Sequence, residues 1–230
     1  MKDILNNSMF FGVLVSILAY EVGVLLKKKL KFALLNPLLI SIVIIILILV
    51  GFHIDYDTYN DGAQLLSYLL TPATVCLAIP LYEQMELLKK NWKAIIGGIV
   101  AGVLTGAVCI LVLCLIFRLE HDMYVTLLPK SITTAIGMGV SEELNGIVTI
   151  TVAVIIITGV VGNVLADFVY KLFHVTHPVA KGVGLGTSAH AIGTAKALEM
   201  GEIEGAMGGL SIAVAGILTV IVAPSFSHII

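Results

Sequence analysis

Residues 184–202 read "GLGTSAHAIGTAKALEMGE", and they stand between two long apolar stretches. His190, Lys196 and Glu199 fall here among glycines, alanines and hydroxyl residues. Too small and polar for an ordinary spanning helix, the stretch predicts a broken or re-entrant segment. Such backbone is tolerated at membrane depth only where protein or a water-filled cavity covers it.

The rest of the chain supplies the membrane context. Of 230 residues, 59% are hydrophobic and 12% charged, with a mean hydropathy of +1.08. A soluble domain carries about 25% charged residues. Apolar runs at 9–26, 37–52, 94–117, 147–170 and 206–226 approach or exceed the length of a bilayer-crossing helix. The expected fold is an all-α polytopic membrane protein with about six to eight transmembrane segments, short broken or re-entrant helices among them. The breaks between runs are short, so residues 1–230 are expected to form one integral membrane domain.

Charge placement predicts topology. Lys27, Lys28, Lys29 and Lys31 follow the first run, and Lys89, Lys90 and Lys93 precede the run at 94–117. By the positive-inside rule both clusters are cytoplasmic and the N-terminus lies outside. Segment 63–82 is then expected to cross. If 127–140 crosses, Lys171 and Lys181 fall outside; if it re-enters, they fall on the cytoplasmic side, as the rule prefers, and the C-terminus is expected outside in both cases. Cys76, Cys109 and Cys114 lie within apolar segments and read as small core residues.

A short cassette recurs. Ala78-Ile79-Pro80, Ala135-Ile136-Gly137 and Ala191-Ile192-Gly193 are each followed, eight residues after the alanine, by Glu86, Glu143 or Glu199. The repeats are placed at about 69–118, 126–170 and 182–226. Internal repeats with paired Gly- or Pro-interrupted helices are a hallmark of secondary transporters, whose sites lie near the bilayer midplane. A break at Gly193 would turn His190 and Lys196 towards one cavity, with Thr187, Ser188 and Thr194 supplying hydroxyls. Lys130, Ser131, Thr133 and Thr134 form a matching set in the second cassette, and Asn163 lies inside a long apolar helix. Together these ten residues are the expected substrate-binding set for a small carboxylate. Serine and threonine in membrane helices also back-bond to their own carbonyls, and Lys196 and Glu199 also fit an interfacial helix end. Protonation of His190, whose unperturbed pKa is about 6.5, is an expected means of proton coupling. Gly98, Gly102 and Gly106 make a small-residue stripe that predicts close helix packing, and a homodimer is the default assembly. No phosphate loop, zinc motif or nucleophile motif is present, so no enzyme activity, cofactor, metal or nucleic-acid partner is expected.

The stretches "LPKSITTAIGMGVSEELNG" and "HPVAKGVGLGTSAHAIGTAKALEMGEIEGAMGGLSIAVAGILTVIVAP" resemble the LrgB/CidB family over nearly the whole chain. The block G-x-x-x-H-A-I-G-T-A-K-A carries most of the likeness. The resemblance implies a bacterial inner-membrane protein paired with a small LrgA/CidA-like membrane partner. It also implies two kinds of function. One is antiholin- or holin-like control of murein hydrolase activity and lysis. The other is carriage of small monocarboxylates such as pyruvate or glycolate, as in the plastid glycolate/glycerate translocator. The polar broken helices favour the carrier.

Overall fold

The computed structural model describes residues 10–30, 37–69, 72, 75, 76 and 78–230. They fall into two compact units, divided between residues 76 and 77. The first contains α1 (Phe11–Leu30), α2 (Pro37–Phe52) and α3 (Tyr56–Tyr68). Here α1 packs on both of the others. Close approach is possible because Gly12 lies against the backbone of Tyr59 and Ala63, and Gly23 against Pro37. Ser16 Oγ and Tyr59 Oη share a 2.8 Å hydrogen bond between α1 and α3. The expected crossing at 63–82 is not one helix. Its residues to Tyr68 belong to α3 and those from Ala78 to a short helix, α4 (Ala78–Glu83), while 70, 71, 73, 74 and 77 lie outside the described residues.

The second unit contains α4, α5 (Met85–Phe117), α6 (His121–Leu127), α7 (Thr134–Glu143), α8 (Val148–Leu172), α9 (Pro178–Met200) and α10 (Glu202–Ser227). By length and apolar composition α5, α8 and α10 can each cross a membrane. The unit is greasy outside and polar within. Val108, Val112, Ile116, Ile157, Phe168 and Ile221 are exposed, while Thr126, Ser141, Thr151, Thr187, His190 and Thr194 are buried. Water would reverse that distribution, whereas lipid tails solvate the apolar surface and leave polar groups to pair internally. Of the three cysteines expected in the core, Cys114 is buried, but Cys76 and Cys109 are exposed.

Helix α9 is a hairpin. Ala189 (φ −134°, ψ 18°) and His190 (φ 42°, ψ −135°) leave helical geometry, dividing it into limbs at 178–188 and 191–200. In a straight helix Gly182 and Leu198 would stand about 24 Å apart. Here Gly182 packs on Glu204, and Leu198 on the adjacent Gly205. Along α8, Tyr170 Oη donates to Lys181 O (2.7 Å), Gly162 meets Ala189, and Asp167 meets Lys196. The chain therefore descends one side of α8 and climbs back along it. The break falls at Ala189–His190, three residues before the expected Gly193. Gly193 instead lets the second limb close on Leu185 O of the first.

α6 and α7 form a second hairpin around loop 128–133. Its limbs meet where Thr151 Oγ1, on α8, lies 2.9 Å from Thr126 O and 2.7 Å from Ser141 Oγ. The two hairpins enter from opposite ends. The α9 base packs with the start of α5, where Ile95, Ile99, Val179, Val183 and Met207 share one apolar cluster. The α6 limb packs with the far end, where Cys114, Tyr124, Val125 and Ala223 share another. α10 joins the two ends: Glu204 is beside Gly182, and Tyr124 Oη donates to Phe226 O at 2.9 Å. The α9-base end carries Lys89, Lys90, Lys93, Lys171 and Lys181, and the opposite end carries Arg118.

Small residues hold the α9 hairpin on α10. A Cβ at Gly186 would meet Gly208 O and Ser211 Cβ, and one at Gly208 would reach within 3.0 Å of Thr194 Oγ1. Gly186→Leu is expected to lower stability by about 1–3 kcal/mol through overpacking. A reduced melting temperature of the detergent-solubilised protein is the readout.

Candidate functional site

The hairpin tips meet on the glycine stripe of α5. A Cβ at Gly98 would lie 3.3 Å from Val183, one at Gly102 3.0 Å from Thr187 Oγ1, and one at Gly106 3.9 Å from Ser131 Oγ. These glycines stand near the middle of the apolar run 94–117. The chain's own first α9 limb and the first hairpin's loop thus approach the stripe, with Gly102 and Gly106 half-buried and Gly98 exposed.

Between the tips lies a cavity of about 20 Å³, lined by Gly102, Gly106, Ser131, Thr187 and Thr219 together with apolar side chains including Val222. That volume holds about one water. Thr219, on α10, is a lining residue that the sequence reading missed. "ILTVIVAP" offers no local pattern to mark it, and only the tertiary fold brings it to the tips.

The expected site residues divide by placement. Thr187 lines the cavity, but its hydroxyl donates to Val183 O at 2.7 Å. Ser188 is exposed, and its hydroxyl donates to Gly184 O at 2.7 Å. Both hydrogens are spent within their own helix, so the expected donor pair is not available as drawn. Ser131 lines the cavity and lies 3.4 Å from the Lys130 ammonium. Thr133 is the N-cap of α7 but forms no side-chain cap bond, and Thr134 begins the helix.

His190 is 4% exposed and donates from Nε2 to Ile155 O at 3.0 Å. Its ring lies over Gly159, where a Cβ would come within 2.8 Å. A non-glycine residue at this positive φ costs about 1–3 kcal/mol, which the surrounding contacts must offset. Asn163 Nδ2 donates to Ile192 O at 3.0 Å, a second tie from α8 to the returning limb. Lys196 pairs with Asp167 at 2.8 Å and stands 3.8 Å from Glu199. His190 and Lys196 thus face α8 and are not brought to the cavity between the tips. Asp167, the partner of Lys196, lies towards the lysine-rich end. There a cavity of about 710 Å³ is lined by Asp167, Tyr170, Lys171, His174, Lys181 and Glu204, among others.

Thr194 shows what the break does to its neighbours. Thr187, Ser188 and Ser211 donate to the carbonyl four residues back. For Thr194 that carbonyl belongs to His190, whose ψ of −135° turns it off the helix axis. Thr194 Oγ1 is left buried without a partner. Among the described residues, no group of three His, Cys, Asp or Glu side chains is placed to hold a metal.

Two substitutions separate these roles. Thr194→Val removes an unsatisfied hydroxyl while conserving shape, and is expected to leave thermal stability unchanged or raise it. Asp167→Asn is expected to cost less than about 1 kcal/mol in a melting experiment, because the Asp167 side chain is 69% exposed.

The LrgB-like family model matches residues 16–229. Proteins described as "Antiholin-like protein LrgB" from Bacillus mycoides (strain KBAB4), Bacillus cereus (strain B4264) and Bacillus anthracis (strain CDC 684 / NRRL 3495) are each 39% identical to this chain over 218 residues. Each alignment covers 94% of this chain and 95% of the relative. No solved structure matches. With matches of that extent and an inside-out polarity suited to lipid, the chain is a membrane protein belonging to the LrgB-like family.

Proposed function

We propose that the protein is a secondary carrier for a small monocarboxylate of the pyruvate or glycolate kind, working with a small LrgA/CidA-like membrane partner. The observation that carries this reading is the meeting of two helical hairpins, inserted from opposite ends, around a hydroxyl-lined cavity midway along α5. Discontinuous helices meeting at mid-depth are the means by which many carriers bind solute, since freed N–H groups and helix N-termini favour an anion. α7 starts beside one tip and the limb 191–200 at the other. A cavity that holds about one water is too small for pyruvate, so uptake requires the tips to part. The lysine-rich end, with Lys89, Lys90, Lys93, Lys171 and Lys181, is assigned to the cytoplasm, which puts the end bearing Arg118 outside.

A second reading is supported by the name its relatives carry: an antiholin-like regulator of lysis without a transport cycle of its own. Proteoliposomes decide between them. The carrier reading predicts saturable uptake of labelled pyruvate, alone or with the small partner. Gly106→Val should reduce that uptake at least about tenfold without loss of folding, because its side chain enters the open space before Ser131. Absence of uptake in every preparation, or leakage of unrelated solutes, favours the regulator.

A further inference from the structure

We propose that Lys130, acting with Ser131 and Thr219, is the counter-charge for a small monoanionic carboxylate at the hairpin tips, and that Lys196 and His190 are not. The inference deepens the transport reading and rests on it for the location of the site.

Five basic side chains stand within the hairpin segments; His121 and Lys181 lie at the hairpin bases, which leaves His190, Lys196 and Lys130 nearer the tips. His190 is fixed away from the cavity by its bond to Ile155 O and its seat over Gly159. Lys196 is neutralised by Asp167 at 2.8 Å, with Glu199 at 3.8 Å. Lys130 differs from both. It lies in loop 128–133 at the tip of the first hairpin, next to the middle of α5, and its ammonium donates to Ser131 Oγ at 3.4 Å. No carboxylate of the described residues pairs with it. A lysine placed at membrane depth needs a partner or a water-filled surrounding, and marks a solute pathway by default.

The neighbouring groups suit an anion. Ser131 accepts from Lys130, so its own hydrogen remains to donate into the cavity it lines. Thr219 adds a hydroxyl from the opposite wall. The first turn of α7 presents backbone N–H groups that the Thr133 side chain does not cap. One positive charge, the Lys130 ammonium, stands 3.4 Å from Ser131 Oγ, which lines a space walled elsewhere by Val103, Leu128, Ile132 and Val222. It balances one carboxylate, and a second carboxylate on the same molecule would be desolvated without a partner.

The test measures binding separately from transport. Sodium pyruvate, compared with sodium chloride at equal ionic strength, should raise the melting temperature of the purified full-length protein saturably. Lys130→Gln should weaken that apparent affinity about 10- to 100-fold. Lys130→Arg should largely restore it, and Ser131→Ala should weaken it less than Lys130→Gln. The double variant Lys196→Gln/Asp167→Asn should bind as wild type, and succinate should compete poorly. Wild-type affinity in Lys130→Gln, loss confined to the Lys196 variant, or no carboxylate-induced shift in the wild type each overturns the assignment. If Lys130→Gln does not fold, Lys130→Arg and Ser131→Ala carry the decision: affinity unchanged in Ser131→Ala and lost in Lys130→Arg overturns it. Pyruvate binding that depends on Lys130 in a protein that fails to take up pyruvate leaves the assignment standing and removes the carrier reading.

Discussion

A peptide group that leaves a helix inside a bilayer has no water to turn to, and the second unit is organised around that constraint. At Ala189–His190 the backbone abandons its helix, and the groups it exposes must be covered by protein. Glycines on three neighbours allow the cover to come close enough: Gly159 and Gly162 on α8, Gly102 on α5 and Gly208 on α10. The side chain of His190 then bonds to a carbonyl of the adjacent span instead of leaving its ring unsatisfied. Gly201 joins the returning limb directly to α10, so the reversal is tied to a full-length helix within one residue.

The same constraint explains why so few hydroxyls are open to a ligand. In apolar surroundings a threonine satisfies itself on the preceding turn, as Thr187 does, and a serine does likewise, as Ser188 and Ser211 do. A hydroxyl is released from that bond where the turn behind it is missing or the residue sits outside a helix. Ser131 meets the second condition and Thr194 the first. Hairpin loops are therefore where polar chemistry remains available, and the helical segments beside them supply shape.

Much of this was legible in the residues. Small and polar composition at 127–140 and 184–200 marked both interrupted segments, and the long apolar runs at 94–117, 147–170 and 206–226 became α5, α8 and α10. The position of the second break was not legible, because glycine is the usual place to expect one and Gly193 serves tight packing instead. Direction was hidden as well. A reversal within one run of helical residues changes two backbone angles and leaves the composition untouched, so Lys196 and His190 looked like partners across a cavity when both face α8. Thr219 could not be read from its run of β-branched and aliphatic neighbours. The glycine stripe was correctly read as a packing face, but the sequence could not say whether the chain itself or a second copy would cover it.

That stripe has a mechanical meaning. Helices that interlock through side-chain ridges must climb over one another to move along their axes. At Gly102 and Gly106, α5 has no ridge to climb, and the hairpin tips approach it there through Thr187 and Ser131. The ridges of α5 stand to either side of it, at Ile95 and Ile99 against the α9 base and at Ile110 and Cys114 against the α6 limb, so resistance to axial displacement falls on those clusters and on the polar ties to α8. The molecule thus keeps its smoothest stretch at the hairpin tips and its interlocking contacts at the hairpin bases and along α8.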